Sequence, residues 1–102
     1  MFLQGLLLTS NINWPKWINK KYKIKQKNIE EICLKNKCSL LDISIEFIKK
    51  QKYIDFVIFG ICSKIQLEKL LKSIQKEIFL EDFDFREYSI CDDNFTDPRN
   101  WQ

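Results

Sequence analysis

Four cysteines, Cys33, Cys38, Cys62 and Cys91, are the strongest nucleophiles in this sequence, and the chain has no histidine to serve them. Without His the commonest general base is missing, and Ser-His and Cys-His dyads are excluded. Cys33 and Cys38 are spaced C-x4-C, and the other two lie far off. Structural zinc sites pair short spacings, so metal binding is disfavoured. Four cysteines allow two disulfides, but no feature signals secretion, and reduced thiols are the expectation.

Two other groups of residues could bind rather than catalyse. Thr9 to Lys27 interleaves Trp14, Trp17 and Tyr22 with lysines and breaks at Pro15. Such a stretch can track single-stranded nucleic acid, phosphate to Lys and base to ring. The competing reading is a loop whose aromatics pack on the body. It is preferred because no nucleic-acid motif accompanies the patch. Charge is uneven as well: 15 Lys against 6 acids over residues 1–76, and 2 Arg against 8 acids over residues 77–102. A nucleic-acid surface with an acidic tail and plain solvated helix faces both fit, and the second is favoured. The second group is a pair of serines. Ser39 precedes Asp42, and Ser63 precedes Gln66, each by three residues. The Ser63 pair is a capping box, and the Ser39 pair is a near match with Asp in place of Glu or Gln.

These side chains need elements to hold them. Ile29 to Lys35 has apolar residues at helical spacing and acids Glu30 and Glu31 in its first turn, which predicts a short helix. Leu40 to Gln51 reads as a helix apolar around much of its girth, so it expects cover on more than one face. Tyr53 to Phe59 is aromatic and β-branched and ends at Gly60. Ile54–Phe59 shows little polar alternation after Asp55, the mark of a strand buried on both faces of a parallel sheet. Ser63 to Lys76 carries Leu67, Leu70, Leu71 and Ile74 on one stripe, as an outer helix packed on a sheet would. Helix, strand, glycine turn and helix together predict an α/β unit, and a small α/β interaction module that binds a partner through its apolar helix is one function it allows.

The segments divide as 1–8, a strand end and loop with Gly5 inside; 9–28, a basic loop; 29–76, helix, helix, strand, helix; and 77–102, an acidic, aromatic tail lying over the body. The length allows one small domain, and 45% hydrophobic residues argue against disorder. No apolar run approaches the ~18 residues of a membrane span. Met1 to Leu8 is too short for a signal-peptide core and has no basic leader, so a cytoplasmic protein is expected. An apolar run directly at Met1 and the apolar girth of the Leu40–Gln51 helix suggest a body larger than the chain itself.

Several stretches together resemble one family. Phe2-Leu3-Gln4-Gly5-Leu6-Leu7 is similar to the strand-seven loop of bacterial aldo/keto reductases, in the branch that works beside sugar biosynthesis. Ser39–Gln51 resembles the helix that follows. Val57-Ile58-Phe59-Gly60 and Gln66-Leu67-Glu68 resemble strand eight and its helix, and Asp97-Pro98-Arg99-Asn100-Trp101 resembles a common ending. The resemblance implies a C-terminal fragment of a (β/α)8 TIM barrel, about two strand–helix steps with a tail. It implies an oxidoreductase piece that is inactive alone, because the family's catalytic Asp, Tyr, Lys and His belong to the first half of the barrel. The piece would be a truncated gene product or one part of a split barrel, partnered by the missing half or another chain. The implied cofactor is NAD(P)H. Its adenosine phosphate would be held by Gly60, Ile61, Cys62, Ser63 and Gln66, and its pyrophosphate would lie near Leu3, Gln4 and Gly5. A helix N-terminus suits an anion in any family. Lys69 and Leu70 stand where the family often has Glu-Asn for the adenine, a departure at the nucleoside.

Overall fold

The computed structural model describes residues 7–80 and 83–101 and is built of helices. Four α-helices follow in order: α1 (Lys20–Lys35), α2 (Leu40–Lys49), α3 (Lys64–Gln75) and α4 (Asp93–Thr96). Single 3₁₀ turns lie at Asn11–Asn13, Phe85–Tyr88 and Pro98–Asn100. No strand occurs among the described residues, so the α/β unit and the barrel fragment expected from the sequence are both corrected. The aldo/keto reductase resemblance therefore brings no barrel sheet with it here.

The reason is visible at residues 54–59. The backbone there is not helical, and Asp55 to Ile58 make no backbone hydrogen bond among the described residues. A strand exists only as part of a ladder, and no second rail occurs among the described residues. The expected burial on both faces is overturned with it: Phe56 is 93% exposed and Ile58 is 97% exposed.

The first half of the core comes from the stretch read as a basic loop. Trp14, Ile18 and Tyr22 are buried around Phe95 of α4, with Ile90 and Trp101 packed against them. The Tyr22 and Phe95 rings lie 4.8 Å apart, and the Trp14 and Phe95 rings 5.8 Å. Contacts at these separations add to the burial of large rings. Helix α1 thus starts at Lys20, nine residues before the expected Ile29, with the Asn19 side chain accepting from the Lys21 N–H at 3.0 Å. The tail does lie over the body. Tyr22 donates its hydroxyl to Asp92, and Lys25 Nζ donates to the carbonyls of Glu87 at 2.8 Å and Ser89 at 3.0 Å.

Helices α1 and α2 meet at a tight corner. Lys37 has φ of 52°, a left-handed conformation that costs a residue with a Cβ about 1–2 kcal/mol. Glycine is the ordinary occupant of that place after a helix. Lys37→Gly is expected to stabilise the fold by about 0.5–1 kcal/mol, read as a higher urea midpoint at unchanged slope. A lower midpoint would show that the lysine side chain holds something the corner needs.

Helix α2 opens with a full capping box, where the sequence shows only a near match. The Asp42 N–H donates to Ser39 Oγ at 3.0 Å, and the Ser39 N–H donates to Asp42 Oδ2 at 2.9 Å. Helix α3 lies against α2 through Leu70 and Ser73, not against a sheet. Its remaining apolar stripe stays open, with Leu67, Leu71 and Ile74 each 40% exposed or more. The whole chain exposes 8108 Å², against about 6,100 Å² for a compact monomer of this mass. Its radius of gyration of 14.0 Å likewise exceeds the ~13 Å of a compact domain.

Candidate functional site

The one place where the sequence-expected site residues come together is the entry to α3. The Ser63 backbone is extended, and its Oγ accepts from the Gln66 N–H at 3.2 Å. Gln66 turns its side chain back, and its Oε1 accepts from the Cys62 N–H at 2.9 Å. The reciprocal bond of a capping box would reach the Ser63 N–H, so the cap here is displaced by one residue. Two first-turn donors, the N–H groups of Lys64 and Ile65, have no partner among the described residues. No acid stands in that turn, so the partial positive charge of the helix end is left uncompensated.

Gly60 and Ile61 lead into this cap. A Cβ placed on Gly60 would meet nothing within 4 Å, so the turn does not depend on glycine. Ile61, Cys62, Ser63 and Gln66 are all exposed, and the cap is an open surface rather than a cleft. Leu3, Gln4 and Gly5, the expected pyrophosphate neighbours, lie outside the described residues.

The donor set fits one anionic oxygen group and little more. Backbone N–H groups at the head of a twelve-residue helix suit a phosphate, while the Lys64 ammonium is paired with Glu68 at 3.8 Å. The nucleoside end does not fit. Leu70, at the expected adenine position, is 8% exposed and buried, while Lys69 faces solvent. What the arrangement can do chemically is bind an anion.

An apolar hollow lies elsewhere, between α1, α2 and residues 83–89, with Ile29, Ile43, Phe47, Phe85 and Tyr88 among its walls. Two of its polar neighbours are committed. Ser44 Oγ donates to the Leu40 carbonyl at 2.7 Å, and Gln26 Nε2 donates to the Leu7 carbonyl at 3.2 Å. It offers nothing to a phosphate.

The aromatics considered for nucleic acid are largely engaged. Trp14 and Tyr22 are buried, and Trp17 packs on Trp101 with ring centres 5.5 Å apart. Among the described residues no group of three or more metal-ligating side chains comes together, and the cysteines are free. No helix among them is long and apolar enough to cross a membrane.

Sequence reasoning missed one polar centre. Asp42, buried on α2, accepts from Ser73 Oγ at 2.6 Å and from Lys76 Nζ at 2.7 Å. Burial alone would push the Asp42 carboxyl up. The bonds from Lys76, the Ser39 N–H and Ser73 outweigh it and bring it down to about 2. The available signal was an acid inside a greasy helix, opposite a serine on the inner face of α3.

No protein-family model, curated protein sequence or solved structure is found to match the chain.

Proposed function

We propose that this chain is a binding component rather than a catalyst in its own right: a C-terminal piece of an NAD(P)H-dependent aldo/keto reductase system in the cytoplasm. It acts only when a second chain covers residues 53–61. The observation that carries this reading is the exposure of Tyr53, Phe56 and Ile58, each above 90%, on a segment whose central backbone groups are unpaired. Val57 at 39% lies between two side chains above 90%. A non-helical segment with free central backbone groups is of the kind that pairs with the open sheet edge of another chain.

The partner implied by the resemblance is the part of the reductase that carries the catalytic residues. The role left to this chain is to present the Lys64 and Ile65 N–H groups to the cofactor's phosphate. When bound, the cofactor would supply the hydride.

Amide exchange tests the docking half of the proposal. In the isolated chain the N–H groups of Asp55 to Ile58 are expected to exchange close to the unprotected rate. Strong protection there in a dilute monomer would mean the segment is already paired, and would remove the need for a partner. The purified chain is also expected to show no NADPH oxidation with any aldehyde. Turnover above a buffer blank would sink the reading.

A further inference from the structure

The corner between α1 and α2 is closed by two backbone hydrogen bonds. The Cys38 N–H donates to the Cys33 carbonyl at 3.0 Å, and the Lys37 N–H to the Leu34 carbonyl at 3.3 Å. With Lys37 left-handed at φ of 52°, this is the Schellman arrangement. In it the residue after the left-handed position packs its side chain on the partner of its own N–H, one turn back in the helix. Here both of those residues are cysteines.

We propose that Cys33 and Cys38 form a reversible dithiol–disulfide pair that locks the corner between α1 and α2. A direct backbone bond between the two residues keeps their Cα atoms within about 7 Å at any angle. Protein disulfides span about 4.4–6.8 Å between Cα atoms, so the reach is right without moving either helix. The two sulfurs also differ in access, since Cys33 is buried and Cys38 is partly exposed. The Cys33 thiol is pushed up to about 12, first by burial and next by Cys38 beside it, with Asp42 and Glu30 adding to the effect. Cys38 is therefore the sulfur that meets an oxidant, and Cys33 is the one that resolves.

The oxidant is a small-molecule disulfide of the glutathione class. Cys38 loses its proton, and its thiolate attacks one sulfur of the oxidant. A protein–glutathione S–S bond forms, and one glutathione thiolate leaves and takes up a proton. Cys33 then gives its proton to solvent and attacks the Cys38 sulfur, expelling the second glutathione as a thiol. Two protein S–H groups become one S–S bond, and one oxidised glutathione becomes two thiols. Cys38 immediately precedes Ser39, the cap of α2, and Asp42 of that same cap is bonded to Ser73 and Lys76. A cross-link at the corner thus ties α1 to a polar centre that already joins α2 to α3. The inference does not depend on the reductase reading.

The test treats the full native chain with oxidised glutathione, quenches by alkylation and maps the peptides by mass spectrometry. The expected result is a Cys33–Cys38 disulfide in a chain whose far-UV spectrum is unchanged, with the thermal midpoint raised by about 5–10 °C. In a Cys62→Ser/Cys91→Ser background the same product is expected, and adding Cys38→Ser should abolish the rise. Should the background variant fail to fold, the peptide map of the unaltered chain decides alone. A glutathione adduct resting on Cys38 with Cys33 still free would overturn the proposal. So would a Cys33–Cys38 bond that forms only in urea, or pairing through Cys62 or Cys91.

Discussion

Asp42→Ala is expected to cost about 3–4 kcal/mol of folding stability, a large share of what a chain this size has to lose. The carboxylate is buried and takes three donors: the Ser39 N–H at 2.9 Å, Ser73 Oγ at 2.6 Å and Lys76 Nζ at 2.7 Å. Removing it strips α2 of half its capping box and leaves the buried Ser73 hydroxyl without its acceptor. Lys76 is 44% exposed at its side chain and can turn to water, so its loss matters least. The order expected from urea titration is Asp42→Ala far above Ser73→Ala at about 1 kcal/mol, with Lys76→Ala smaller still. The pH dependence follows from the same centre. The Asp42 carboxyl is lowered from 3.8 to about 2 in the folded chain. A depressed carboxylate contributes stability that is present above the unfolded value and lost as pH falls through the folded one. Stability on the order of 2 kcal/mol is thus expected to drain between about pH 4 and pH 2, and to be missing from that window in Asp42→Asn. A wild-type-like acid profile in Asp42→Asn would show that the centre is not what the acid limb reports.

Where the fold was legible, local chemistry decided it. Ser39 with Asp42 and Ser63 with Gln66 mark the starts of α2 and α3, because a cap is settled within four residues of chain. The start of α1 was not legible. Its buried residues are Tyr22, Gln26 and Cys33, and a glutamine in the middle of the stripe breaks the apolar pattern that would announce it. Gln26 is tolerated inside because its amide donates to the carbonyls of Leu7 and Thr9, partners far off in sequence. Phe95 was hidden for a related reason, since it reaches the core from a four-residue helix too short to show a period. Ile54–Phe59 is the instructive failure. Its residue types state a preference for extended backbone, but a strand is a relation between two segments, and one sequence can declare only its own half. The site divides along the same line. The cap of α3 was readable, whereas the fate of Leu70 depended on α2 and was not.

In the isolated chain, Phe56→Ser combined with Ile58→Ser is expected to weaken self-association by about 10²–10⁴-fold while leaving the monomer's stability within about 0.5 kcal/mol. Both side chains are above 90% exposed, so the folded monomer gains almost nothing from them. An interface would. Burying a Phe or Ile is worth roughly 1.5–3 kcal/mol each, and two of them account for the expected change in affinity. A long apolar segment whose Asp55 to Ile58 backbone groups have no partner among the described residues is a template for pairing with any other chain, including another copy. The unaltered chain is therefore expected to bind ANS, to associate at micromolar concentration and to do both through residues 53–61. Leu70→Ala provides the contrast. Leu70 is 8% exposed between α2 and α3, and its truncation is expected to cost about 2–4 kcal/mol of folding with no direct effect on the segment. Sedimentation and urea titration separate the two variants, one losing association and the other losing the fold. If the Phe56/Ile58 variant unfolds the monomer instead, the segment is packed inside the chain and is not held out for a partner. If it associates as before, the contact surface lies elsewhere, and the open stripe of α3, Leu67, Leu71 and Ile74, becomes the face to change next.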